Sequence, residues 1–247
     1  MKKMFSFIAV MIFTAAIHAQ ETAESVNRFG LEEFNKGNYE TAARHFERAI
    51  EIRPEYASAQ YNLGTSYFYL RRFEPAIAAL KRAGKLDPAS AAISNQLGAV
   101  YLESGDEARA IEAFKEAVRL KPNYASALYN LGCSYIRSGD FRSATRPLER
   151  ARVLDPNNVD IRLNLAYALS RQDRLNDAIG EMRTAVSSKP SDAELQLFLG
   201  NLYLLANDRG RAAEQYMKLK QLDIAAASQL QEAIAGTRVV MVSAVRK

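Results

Sequence analysis

The stretch "ALYNLGCSYIRSGDF", Ala127 to Phe141, holds the one cysteine of a 247-residue chain. Cys133 stands between Gly132 and Ser134, with Tyr129 and Tyr135 close by. Two readings compete: a reactive thiol in a catalytic motif, or one tooth of a repeating pattern. The flanking residues decide. "YNLG" occurs at Tyr61–Gly64 and again at Tyr129–Gly132, 68 residues later. Five of the seven prolines, Pro54, Pro88, Pro122, Pro156 and Pro190, fall at intervals of 34. Leu63, Leu97, Leu131, Leu165 and Leu199 keep that spacing, and Ala42, Ala76, Ala110, Ala144, Ala178 and Ala212 form an unbroken series. Phe46, Leu80, Phe114, Leu148, Met182 and Tyr216 form another, and Ala49, Ala83, Ala117, Ala151 and Ala185 a third. Such self-similarity is the signature of a repeat array.

The spacings within one period have a physical reading. Leu131, Gly132 and Tyr135 share one helix face, and so do Ala144, Leu148 and Ala151. Between them "RSGD", Arg137 to Asp140, supplies a glycine to end one helix and an aspartate to cap the next. "LDP" at Leu154–Pro156 stops the second helix, because the residue before a proline avoids helical geometry. Each period is therefore a helical hairpin, and hairpins must stack to bury their apolar faces. Pro75 is expected in the first turn of its helix, where proline is tolerated, and Pro147 deeper, with a local kink.

The pattern resembles the tetratricopeptide repeat. The period, the "NLG…Y" of the first helix, the "GDF" turn, the alanine series and the terminal proline carry the resemblance, from Ala23 to about Ala226. A tryptophan frequent in the family is absent; Val26, Gln60, Ser94, Leu128, Arg162 and Gln196 occupy its slot. The resemblance implies an all-α fold, a right-handed α-solenoid of about six helix-turn-helix repeats. These run over 23–56, 57–90, 91–124, 125–158, 159–192 and 193–226. Repeat six lacks its proline, Ile224 standing there, and 227–236 reads as a capping helix with Gly236 as its stop. Residues 237–247 follow as a β-branched tail, free or added as a strand to a partner.

The N-terminus differs in kind. Lys2 and Lys3 precede an apolar run from Met4 to Ile17, too short for a membrane span and suited to a signal peptide over 1–19, the alternative being a buried N-terminal helix or an uncleaved anchor. Cleavage is expected after Ala19, giving a periplasmic or secreted protein without a lipid-modified cysteine. One cysteine forms no internal disulfide, so the fold is stable without one.

Composition narrows the function classes. Charged residues make up 25% and hydrophobic ones 48%, which suits a folded soluble chain. A net charge of +5 gives no reason to invoke nucleic acid. Of the two histidines, His18 lies in the expected signal peptide, and His45 has no second ligand at metal spacing. Cys133 is nearly three repeats from His45, and the glycines are the repeat's own rather than a phosphate loop. The chain reads as non-catalytic, without metal or cofactor.

What remains is surface. In stacked hairpins of this kind the first helices line a concave groove. The slots around the packed Leu–Gly pair place Tyr61, Asn62, Thr65, Phe68, Tyr69 and Asn95 on its wall. Tyr129, Asn130, Cys133, Ile136, Asn164 and Tyr167 occupy the same slots further on. The asparagines are placed either to bond a passing backbone or to bond the neighbouring helix. Family members that bind acidic chaperone tails carry Lys and Arg here; Ser58, Tyr61, Ala92, Asn95 and Gln96 stand instead. The expected function is a protein-interaction scaffold of the cell envelope or secreted space, taking a partner's peptide or helix in the groove. A bulky thiol reagent at Cys133 is then expected to block binding. The alternative is an assembly subunit using convex or edge surfaces. There Arg142, Arg146 and Arg150 form a basic stripe suited to anionic lipid or cell-wall polymer, or to ordinary solvation. Partner identity and oligomeric state are not written in the sequence.

Overall fold

A computed structural model describes residues 21–236; the expected signal peptide and the 237–247 tail lie outside the described residues. Thirteen helices follow one another, with no strand among the described residues. They are α1 (Ala23–Asn35), α2 (Tyr39–Ile52), α3 (Ala57–Tyr69), α4 (Phe73–Leu86) and α5 (Ala91–Glu103). Then come α6 (Glu107–Leu120), α7 (Ala125–Arg137), α8 (Phe141–Leu154), α9 (Val159–Ser170) and α10 (Leu175–Ser188). The last are α11 (Ala193–Leu205), α12 (Arg209–Leu222) and α13 (Ile224–Ile234). Within each unit consecutive helices pack against one another as antiparallel hairpins, the arrangement of an α-solenoid. The chain divides into an N-terminal unit ending at Ser104 and a C-terminal unit from Gly105, so α5 and α6 of repeat three fall in different units.

Sequence chemistry starts and stops these helices. Thr22 and Ser25 make a capping box on α1: Ser25 N–H donates to Thr22 Oγ1, and Thr22 N–H to Ser25 Oγ, each at 3.1 Å. Asp106, Asp140 and Asp208 accept from backbone N–H groups three residues on, as the "GD" pattern predicts. Before them the turn needs one residue in the left-handed region, which Gly105 and Gly139 supply at φ +87° and +80°. Repeats two, five and six fill that slot with Arg71, Asp173 and Asn207, at φ of about +60°. Arginine there carries a steric cost of about 1 kcal/mol, which an exposed ion pair with Glu103 at 3.7 Å and a place 5.2 Å over the Phe73 ring offset only in part. Arg71→Gly is therefore expected to stabilise the N-terminal unit slightly, by about 0.5 kcal/mol or less in thermal denaturation. Asn207→Gly should gain less, since asparagine tolerates that conformation.

The three periodic series are the core. Each alanine of the Ala42 and Ala49 series is fully buried, as are Phe46, Leu80, Phe114, Leu148 and Met182. The paired glycine sets how close the two helices of a hairpin come. A Cβ on Gly132 would lie 2.5 Å from Leu148 Cγ, well inside van der Waals contact. Pro75 is the third residue of α4, in its first turn as expected. Pro147 is buried at the seventh position of α8, which still spans the same 14 residues as α2, α4 and α6.

Repeat six departs from the pattern. Tyr216 is only partly buried, and Leu230 of α13 takes its place over Gly200, 2.5 Å from where a Cβ would stand. The capping helix begins at Ile224, three residues earlier than the expected start at 227. The cause is Asp223, whose carboxylate accepts from Ala225 N–H at 2.8 Å and Ala226 N–H at 3.0 Å and so starts a new helix. Leu230 is fully buried and Ile234 packs beside it.

Candidate partner-binding surface

In the N-terminal unit the expected wall is built on α3 and α5. Phe68 and Tyr61 pack against Ala76, Leu80 and Val100, and both stay partly exposed. Tyr69 is 51% exposed and is the hub of an aromatic cluster. It stacks on Tyr39 at a ring separation of 4.7 Å, and Phe34 and Phe68 meet it edge-on at 5.4 and 5.5 Å. Phe34 and Tyr39 were absent from the expected wall, although Phe34 lies one period before Phe68. The Thr65 hydroxyl is turned inward to the Tyr61 carbonyl at 2.9 Å. Asn62 Nδ2 donates to Asn27 Oδ1 at 3.0 Å, so this asparagine ties α3 to α1. Asn95, on α5, is partly buried.

The C-terminal unit resolves the asparagine question the same way. Asn164 has no exposed surface; its Nδ2 donates to Tyr129 Oη at 3.2 Å and to the Asp160 carbonyl at 2.9 Å. Of the two roles open to this asparagine, it takes the second and joins α9 to α7. Cys133 and Ile136 are buried as well, so neither forms part of an open wall. Burial pushes the Cys133 thiol up to about 12, and Tyr129 beside it is raised by burial and by Cys133. A thiol reagent therefore needs local opening to reach Cys133, which overturns its use as a simple blocking site. Native labelling at pH 8 is expected to run at least about a hundredfold slower than in urea, because the thiolate is the reactive form. The raised thiol pKa also contributes stability below the ordinary cysteine value of about 8.5, and this is lost as pH climbs toward 12. Tyr129, Asn130 and Tyr167 keep partial exposure, Tyr167 held edge-on to Phe141 at 5.8 Å.

On the second helices the stripe is uneven. Arg142 and Arg146 are exposed and pair with no carboxylate among the described residues, whereas Arg150 donates to the Pro122 carbonyl. A second charged group escaped the sequence reading. Glu181 on α10 receives Arg152 of α8 at 2.7 Å and Arg162 of α9 at 2.6 Å, and Arg162 also donates to the Pro156 carbonyl at 2.9 Å. Gln196 reaches Pro190 in the same way at 2.9 Å. In repeats five and six the vacant tryptophan slot is thus used by polar side chains that bond the preceding proline turn. Among the described residues no group of three or more His, Cys, Asp or Glu is placed to hold a metal, and no helix is long and apolar enough to cross a membrane.

Comparison with known proteins matches this geometry. The chain resembles the crystal structure of YrrB, a tetratricopeptide-repeat protein with an unusual peptide-binding site, at 23% identity and TM-score 0.70. That match covers 77% of this chain and 99% of the other. Pseudomonas aeruginosa pilF aligns at 23% identity and TM-score 0.70, covering 85% and 97%. A tetratricopeptide-repeat protein from Parabacteroides merdae aligns at 19% identity and TM-score 0.67, covering 86% and 85%. No curated protein sequence matches the chain. The family model described as the cilia and flagella-associated protein 70 C-terminal domain matches residues 9–196. Helical hairpins, repeat period and family match agree: the chain belongs to this tetratricopeptide-repeat family.

Proposed function

We propose that the protein is a non-catalytic scaffold of the cell envelope or secreted space that binds an extended or helical segment of a partner on the wall formed by its first helices. The observation that carries this reading is the aromatic cluster around Tyr69 beside Tyr61 and Phe68, because rigid aromatic surface left exposed is what interfaces use for anchoring. A solved relative in fold is described as having a peptide-binding site. The test compares partner recovery by tagged wild-type chain with recovery by Tyr61→Ala and Tyr69→Ala variants. Loss of the partner, by tenfold or more for the pair, is expected; full recovery by both would remove the wall as the binding surface. The mass of the chain from the same preparation tests export, with an N-terminus at Gln20 expected.

The second reading is an assembly subunit that uses its second helices. It is favoured by Arg142 and Arg146, two exposed guanidinium groups that pair with no carboxylate among the described residues. On this reading the chain sediments with anionic vesicles, and added salt releases it.

A further inference from the structure

One slot of the repeat alternates in sign along the whole chain. Arg53, Asp87, Lys121, Asp155, Lys189 and Asp223 stand three residues before the end of successive repeats. In repeats one and three the chain supplies its own cation to a neighbouring tyrosine. Arg53 lies 3.7 Å over the Tyr56 ring and Lys121 lies 5.2 Å over Tyr124. Repeat two inverts this arrangement. Asp87 is exposed, and no basic side chain lies within ion-pair distance of it among the described residues. It borders a recess of about 220 Å³ between the N-terminal halves of α3 and α5, lined also by Ser58, Tyr61, Asn62 and Ser90. Ser90 is the N-cap residue of α5 but makes no side-chain capping bond, so its hydroxyl oxygen remains available.

The recess therefore gathers a carboxylate, two hydroxyl oxygens and the edge of an aromatic ring, with no cation of its own. An ammonium carries three donors and no acceptor, and a guanidinium five, so both are complementary to this set. The same slots recur 68 residues later in repeat four as Ser126, Tyr129, Asn130 and Asp155. There Asn158 stands in the slot of Ser90; its Nδ2 donates to Asp155 at 3.0 Å and its Oδ1 accepts from Asp160 and Ile161 N–H, so that carboxylate is already engaged. We propose that the recess at Asp87 takes a lysine or arginine side chain of the partner segment. The inference rests on the first-helix wall being the binding surface. It reverses the charge preference of relatives that clamp acidic tails, and it makes the wall selective rather than merely apolar.

The test is selection of a random decapeptide library on the purified chain. Selected peptides are then titrated by fluorescence anisotropy against wild type, the Asp87→Asn variant and the Tyr61→Ala variant. Asparagine keeps the shape and removes the charge at an exposed site, so the fold is retained. Selected peptides are expected to carry a basic residue at a fixed place. Replacing it by glutamine should weaken binding to wild type about three- to tenfold and leave binding to the Asp87→Asn variant unchanged. Equal loss against wild type and the Asp87→Asn variant would overturn the proposal. Peptides that lose binding on Tyr61→Ala but carry no fixed basic residue overturn it too, while leaving the wall as the binding surface. Peptides indifferent to Tyr61→Ala overturn the wall itself, and a selection without binders overturns both.

Discussion

Glu181→Ala is expected to cost the C-terminal unit about 3–5 kcal/mol, read as a lower urea midpoint and faster amide exchange in α8, α9 and α10. Glu181 and Arg162 have side chains only 13% and 14% exposed, and Arg152 completes the group from a third helix. Removing the carboxylate leaves Arg162 with a positive charge in a site that water barely reaches. The cost arises from that stranded charge more than from the lost attraction. It follows that Arg162→Leu combined with Glu181→Ala should lose much less than Glu181→Ala alone. The chain itself offers the precedent, since Leu128 occupies the slot of Arg162 one repeat earlier and Ala79 the slot of Glu181 three repeats earlier. If the single and double variants are equally unstable, the group contributes by packing and not by charge.

The second large effect is expected at the end of the chain. Leu230→Ala should cost about 2–5 kcal/mol, because the side chain is fully buried and rests on the α11 backbone at Gly200. In a stack of repeats each element is held by its neighbours, so the loss is local. Exchange protection should fall in α11, α12 and α13 while α7 and α8 keep theirs. Ile224→Ala supplies the control, since Ile224 is 78% exposed and its change should stay within about 0.5 kcal/mol. A uniform loss across the C-terminal unit would show that it unfolds as one block.

These two sites mark the boundary of what the sequence makes legible. Ala42, Leu148 and their equivalents are visible because packing in a repeat recurs at each period, and repetition separates core from chance. The second helices, the turns and the buried alanines all follow from it. Glu181, Arg152 and Arg162 repeat nowhere else, so no spacing announces them, and only folding brings three helices together. Asn164 shows a different limit. The sequence placed it on the first helix correctly, but whether its amide faces a partner or the next helix depended on Tyr129 one repeat back. Cys133 likewise holds the expected slot and is buried there. The early restart at Ile224 was written in Asp223, a good N-cap residue that the missing proline obscured.

The close approach of Gly132 to Leu148, and of Gly64 to Leu80, has a mechanical consequence. With no Cβ between the two backbones, neither helix can slide along the other without driving a leucine into a main chain. These two hairpins are stiff in shear. In the N-terminal unit compliance is left to the contacts between hairpins, where a cleft of about 420 Å³ separates α2 from α4 behind Gln60 and Tyr67. A segment bound on the α3 side would therefore work against this cleft, widening or narrowing it, while the hairpin of α3 and α4 moves as a rigid lever.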